Sequence, residues 1–322
     1  MQIYYNQTSN NRRNFATSIL NNNLLMNHIA VGIGEVLWDV FPNRRTIGGA
    51  TANFAYHTAQ FGLDSYIVSA VGNDALGDEA EKVLKEKGLK TCIQRTDSPT
   101  GTVTISLNEQ SVPKYDFKEQ AAWDNIPFNE ELVRLAKQTS LVCFGSLAQR
   151  HTKSRSTIRQ FLKAVPDTDK TFKVFDINLR QNFFNKELLS DSLKLCNILK
   201  INDEELSIIS GIFDLNDSSN PQIQSLALLK RYNIRMLILT CGINGSYVIT
   251  PESVSFRNTP KVETIDTVGA GDAFTAAFCS ALYHGKNISE AHELAVEVAA
   301  YVCTQYGSMP IFPDELKCKA IY

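Results

Sequence analysis

The chain has 322 residues, with 32 Lys+Arg against 34 Asp+Glu, a formal net charge of −2 at pH 7, and 43% apolar residues. That apolar content can bury a sizeable core and excludes disorder as the main state. Near-zero net charge leaves no electrostatic footprint for nucleic acid or an anionic membrane, and no apolar run approaches the ~20 residues of a spanning helix, so neither is an expected partner.

The first 27 residues carry eight asparagines, the pair Arg12-Arg13 and no sustained hydrophobic period. They read as a poorly ordered tail, and Met26 stands just ahead of the first strand pattern as an alternative start. From there, apolar runs alternate with helical patterns. Residues 28–33 predict a buried strand, 50–61 a helix, 66–71 a strand, and 75–87 an amphipathic helix that Gly88 closes. Further strands are expected at 141–144, 172–176, 198–201 and 236–240, each followed by a helical or turn pattern. Such alternation predicts one α/β domain over 28–322, a mainly parallel sheet with helices on both faces. Segments 36–47 and 100–118 are more polar and alternate with period two, which suits a small antiparallel flap projecting from the core. The seven cysteines (Cys92, Cys143, Cys196, Cys241, Cys279, Cys303 and Cys318) form no C-x-x-C pair and several lie in apolar runs. They are expected to be buried, reduced thiols in a cytoplasmic protein.

The segment Asp266-Thr267-Val268-Gly269-Ala270-Gly271-Asp272-Ala273-Phe274 opens a long helical pattern that runs to Tyr283. Glycines let backbone N–H groups approach a ligand, and the helix start adds its positive dipole end, so the two make an anion site. Asp272 is anomalous there, because a carboxylate repels a phosphate. Either it is the base that deprotonates a hydroxyl attacking that phosphate, or it only charges the helix start. Spacing alone leaves both open.

In this setting Gly-Ala-Gly-Asp resembles the C-terminal motif of the ribokinase-like (PfkB) family of sugar kinases. Gly48-Gly49-Ala50-Thr51-Ala52-Asn53-Phe54-Ala55 resembles the family's early glycine-pair motif, and Phe61-Gly62 and Val71-Gly72-Asn73-Asp74-Ala75-Leu76-Gly77 follow in matching order. The resemblance spans residues 29–313. It implies the ribokinase-like three-layer α/β fold with a β-sheet lid, Asp272 as catalytic base, and Gly269, Ala270 and Gly271 as the anion hole. It further implies Asp39, Gly49 and Asn53 as the sugar pocket. Asn202 and Glu205, in Asn202-Asp203-Glu204-Glu205, match an N-x-x-E element that organises Mg²⁺ and phosphates, with Glu205 on the metal through water. Without that match, three acidic residues in a row read as a solvated helix start. Thr240, Gly242 and Gly245 match the ATP loop, and Asp266 matches a position associated with a monovalent cation, which makes K⁺ a possible cofactor beside ATP and Mg²⁺.

No G-x-x-x-x-G-K-[ST] sequence is present, and the G-x-G-x-x-G series that would start at Gly32 has Leu37 in place of its third glycine, which argues against a P-loop and a dinucleotide site. Ala50 stands where ribokinases carry lysine, and Gly34-Glu35 with Phe175-Asp176-Ile177-Asn178-Leu179-Arg180 looks more like fructokinases, although these usually have proline where Thr51 stands. The resemblance therefore implies phosphorylation of D-fructose. A 2-keto-3-deoxygluconate or nucleoside kinase, or a sugar-binding homologue without activity, are the alternatives. Arg180 is placed with the substrate, against a strand-end ion pair. Lys114 and Lys118 would serve a phosphosugar. The lid's unpaired edges predict a homodimer formed through it.

Overall fold

The computed structural model describes residues 29–107, 113–215 and 218–322, without the side chains of 106–107 and 113–115. The tail reading for 1–27 and the side chain of Lys114 lie outside these. The described elements are, in chain order, β1 (Ile29–Ile33), β2 (Leu37–Phe41), β3 (Arg44–Gly48), α1 (Ala50–Gln60), β4 (Asp64–Gly72), α2 (Ala75–Glu86), β5 (Lys90–Thr96), β6 (Gly101–Leu107) and β7 (Pro113–Phe117). Then follow α3 (Glu130–Gln138), β8 (Thr139–Gly145), α4 (Thr152–Ala164), β9 (Phe172–Asp176), α5 (Lys186–Leu193), β10 (Ile198–Asn202), α6 (Asp203–Ile212) and α7 (Pro221–Tyr232). The chain closes with β11 (Met236–Thr240), β12 (Ser246–Ile249), β13 (Val254–Arg257), α8 (Ala270–Tyr283), α9 (Ile288–Cys303) and α10 (Asp314–Ile321).

A nine-stranded sheet runs in the order β13-β12-β11-β10-β9-β8-β1-β4-β5. Neighbours from β11 to β5 are parallel, and β12 and β13 add an antiparallel edge. Strand connections lead away from the β1/β8 pair in both directions, and the carboxyl ends of strands at such a switch point form a crevice. Alternating side chains divide the sheet's two faces. Ala30, Leu141, Cys143, Val174, Ile198 and Ile238 pack with α1, α8 and α9. Val31, Val142, Phe144, Phe175, Leu199 and Leu237 pack with α3 to α7. Both faces are covered, hence the near-continuous apolar strands. None of the cysteines is in a disulfide; Cys318 is exposed rather than buried, since it lies on the outer face of the short α10.

The lid is a four-stranded sheet in the order β3-β2-β6-β7. It is mixed rather than antiparallel: the central pair, β2 and β6, runs parallel. Between those strands the chain passes through α1, β4, α2 and β5, long enough for a parallel return that residue alternation cannot distinguish. The lid is rooted at the start of α2. Trp38 Nε1 donates to the Leu76 carbonyl at 3.0 Å, and the Asp74 carboxylate accepts from Gly77 N at 2.8 Å, Thr100 N at 2.8 Å and Thr100 Oγ1 at 2.6 Å.

Past β7, Arg150 is clamped to Asp124 through Nε and Nη2, both at 2.8 Å, and donates to the Lys118 carbonyl at 2.6 Å. Its guanidinium lies 4.0 Å from the Trp123 ring centroid and both partners are buried. Removing one member of such a pair leaves an uncompensated charge. Asp124→Ala should therefore lower stability by about 3–5 kcal/mol in urea unfolding, and Asp124→Leu combined with Arg150→Met should lose much less.

Candidate active site

Seven parallel strands end along one edge of the sheet, and the site-forming residues collect there. Glu35 follows β1, Asp176 ends β9, Asn202 ends β10 and Thr240 ends β11. The lid supplies Asp39 from β2, and α8 enters from the covered face with Asp272 in its first turn.

The Gly269-Ala270-Gly271 turn is packed on two sides. Gly269 has φ 80°, a left-handed conformation that suits glycine, and a side chain there would place its Cβ 2.6 Å from the Cβ of Ser308. A Cβ on Gly271 would lie 3.2 Å from Lys200 Nζ. The Ala270 amide donates to the Thr267 carbonyl at 3.3 Å. Among the described residues, the Gly271 and Asp272 amides have no carbonyl acceptor outside the helix, so they are the donors free to meet an anion at the helix start.

Asp272 Oδ2 accepts a 2.7 Å hydrogen bond from Asn53 Nδ2, and Asn53 Oδ1 accepts one of 2.8 Å from Ser308 Oγ. Crowding by protein atoms raises the Asp272 carboxyl to about 7, and the neighbouring charge of Asp176 adds to that; the Asn53 hydrogen bond, Lys200 and Arg180 oppose it. Asp39 lies against Gly48, where any side chain would meet its Oδ2. Burial pushes its carboxyl up to about 6, with Asp266 adding and Arg180 opposing. Gly49 is the residue that precedes α1, and Glu35 Oε1 accepts from Ala50 N at 3.1 Å. Glu35 is buried, its Oε2 has no partner among the described residues, and burial raises its carboxyl too.

Arg180 donates to the neighbouring Leu179 carbonyl and lowers the proton affinity of Asp39, Asp272, Asp176 and Glu35. It is thus a shared counter-charge, not half of a simple strand-end pair. Asp39, Asn53, Arg180, Asp266 and Asp272 come together in this way.

Asn202 and Glu205 sit at the start of α6 as a reciprocal cap, with Asn202 Oδ1 accepting from Glu205 N at 2.7 Å and Glu205 Oε2 accepting from Asn202 N at 3.0 Å. Glu205 Oε1 takes Leu179 N at 2.8 Å, so each carboxylate oxygen keeps one lone pair, enough for a metal-bound water but not for a dense ligand cage. Among the described residues no group of three or more His, Cys, Asp or Glu is arranged as a metal cluster. Asp266 ties two turns together, accepting from Val268 N at 3.0 Å and Gly307 N at 3.2 Å. Thr240, at the end of β11, pairs in register with Asn202 of β10, and Gly242 and Gly245 lie on the turn that follows, where the Gly242 carbonyl accepts from Thr259 Oγ1. Lys118 is exposed beside the lid root.

Asp176, Lys200, Glu35 and Ser308 belong to the site but were not among its expected members. The signal for two of them was present: a charged residue inside an apolar run of a strand covered on both faces requires a partner.

The model for "pfkB family carbohydrate kinase" matches residues 21–315. An ATP-dependent 6-phosphofructokinase of Thermoanaerobacterium thermosaccharolyticum is 28% identical over 307 residues, covering 90% of this chain and 92% of that one. A fructokinase of Escherichia coli is 27% identical over 307 residues, covering 87% and 95%. The fold is that of a fructokinase with bound ATP from Xylella fastidiosa, with TM-score 0.78, 20% identity, and 91% and 98% of the two chains covered. The cleft at the strand ends, the lid above it and the family match over most of the chain lead to one conclusion: this protein belongs to the pfkB family of carbohydrate kinases.

Proposed function

We propose that this ATP-binding kinase phosphorylates the hydroxymethyl group of a free hexose, D-fructose foremost. The observation that carries the reading is Asp272, a carboxylate raised to about 7 and held by Asn53 at the mouth of a helix whose Gly271 and Asp272 amides are free among the described residues. A sugar hydroxyl is a weak nucleophile, and a base poised near working pH removes its proton as the oxygen attacks. The Gly271 and Asp272 amides take up charge on the transferred phosphoryl group, Gly269 and Ala270 shape the turn that presents them, and positioning does the rest. Asp39, with Gly49 and Asn53 beside it, accepts sugar hydroxyls from the lid side, and Thr240, Gly242 and Gly245 hold the nucleotide.

Carboxylates outnumber cations around the cleft, with Asp39, Glu35, Asp176, Glu205 and Asp272 facing Arg180 and Lys200. A bare triphosphate would be repelled, so it enters with a divalent cation, Mg²⁺, next to Asn202 and Glu205. The metal neutralises phosphate charge. Asp266 would accompany a monovalent cation.

Arg180 also favours a second reading. Its planar fork suits the carboxylate of a 2-keto-3-deoxy sugar acid. ADP release measured with D-fructose, fructose 6-phosphate, 2-keto-3-deoxygluconate and a nucleoside separates these. The highest kcat/KM on D-fructose supports the first reading, on the sugar acid the second, and no turnover on any of them overturns both.

Further outcomes are expected beyond the panel. kcat/KM should rise with pH through a midpoint near the Asp272 value of about 7, and Asp272→Asn should cut kcat by ~10²–10⁴-fold. The raised carboxyl binds its proton more tightly folded than unfolded, which favours the fold below the ordinary aspartate range and is lost as pH rises through about 7. Asp272→Asn removes that loss, so its melting temperature at pH 8 should equal or exceed the wild-type value. Chelation with EDTA should abolish turnover and added Mg²⁺ should restore it, checked by the same ADP assay. The edges of the lid, β3 and β7, are free to pair with a second copy. Light scattering at micromolar concentration should give the mass of a dimer, and a monomer would end that proposal.

A further inference from the structure

Lys200 is a lysine in the middle of a covered parallel sheet, only 8% exposed. Strand register sets it opposite Asp176, and its Nζ lies 3.1 Å from Asp176 Oδ1. Val174 and Ile198 pack on the face covered by α8, so residues two further along each strand, Asp176 and Lys200, point to that face as well. The contact beneath Gly271 follows from this.

The placement opposes ordinary electrostatics. An ammonium at a helix start meets the positive end of the dipole, and its burial costs solvation that a single ion pair often fails to offset. A well-packed apolar pair would hold the strands at least as well. The groups facing Asp272 account for the arrangement. Asp176 from β9 raises its proton affinity, Lys200 from β10 and Arg180 from the loop after β9 lower it, Asn53 donates to it from α1, and the Cys143 thiol of β8 lies in the same field.

We propose that Lys200 is a positioning residue of the phosphoryl-transfer site, its ammonium fixed by Asp176 beneath Gly271 so that Asp272 stays in the ionised form that takes up the hydroxyl proton. The inference rests on the reading of Asp272 as the base, and its test is separable from that reading. In full-length protein labelled with ¹³C-carboxyl aspartate, the Asp272 signal is the one missing from Asp272→Asn, and its titration needs no sugar. Lys200→Met should move the Asp272 midpoint up by about one pH unit or more, and Asp176→Asn should move it down. Adding Lys200→Met to Asp176→Asn should raise it again by a similar amount. That second comparison leaves no unpaired buried carboxylate, so it decides the matter even if Lys200→Met alone does not fold. The acid limb of kcat/KM for D-fructose should follow the same shifts. A midpoint that Lys200→Met leaves unmoved in both backgrounds overturns the proposal. Turnover lost at every pH with the midpoint unchanged does so too, because Lys200 would then touch the phosphoryl group itself. The base reading fails on different data, namely normal turnover in Asp272→Asn.

Discussion

A side chain on either glycine where α8 begins would crowd a neighbour. Ser308 presses on Gly269 from the C-terminal segment and Lys200 presses on Gly271 from the sheet, so the turn is fixed by what surrounds it. That confinement aims the first amides of α8 into the crevice at the strand ends and leaves Asp272 one direction to point, toward Asn53. The path of the chain on either side serves the same end. Asp266 ties the approach to the turn to Gly307, and Ser308 reaches back to Asn53, so helix start, early helix and C-terminal loop form one unit.

Around that unit the buried acids bind their protons more tightly than they would in water. Burial is the leading cause for Asp39, Glu35, Asp176 and Asp272 alike, and one guanidinium, Arg180, offsets all four. Nearby histidines are kept out of this balance. His57 is buried, its Nε2 lies 2.9 Å from the Ser308 carbonyl, and burial lowers its ring to about 3. It stacks on Phe312 as a neutral ring, so proton traffic near neutrality belongs to the carboxylates.

Much of this was legible in the residues. The central strands and the helices over 50–61 and 75–87 follow from periodicity, because a sheet covered on both faces demands apolar runs. The edge strands β5 and β13 and the neighbouring β12 did not announce themselves, being short or half-polar, and the lid's parallel pairing depends on the path between its strands. In the site, the expected residues came from the resemblance carried by the glycine-pair and Gly-Ala-Gly-Asp motifs, and the structure brings Asn53 and Asp272 into contact. Lys200 and Asp176 were not read, although each interrupts an apolar run. Only strand register, a tertiary fact, shows that they face one another. The Asn202 and Glu205 cap is the converse case. The acidic run does begin a helix, and Glu205 is buried by its backbone partners instead of being solvated.

The hydrogen bond from Asn53 to Asp272 joins positions 219 residues apart, and that from Ser308 to Asn53 spans 255. Asp39, Gly49 and Asn53, the lid and half of the sheet come from the first part of the chain, whereas Asp272 and Ser308 arrive with the last. Contacts of such separation require closing nearly the whole chain into a loop, and a chain emerging from its N-terminus cannot make them early. A growing chain therefore carries Asn53 and its neighbours well before Asp272 and Ser308 are there to meet them. The crevice is closed only when the two ends of the polypeptide are sewn together at Asn53, a late step in completing the fold.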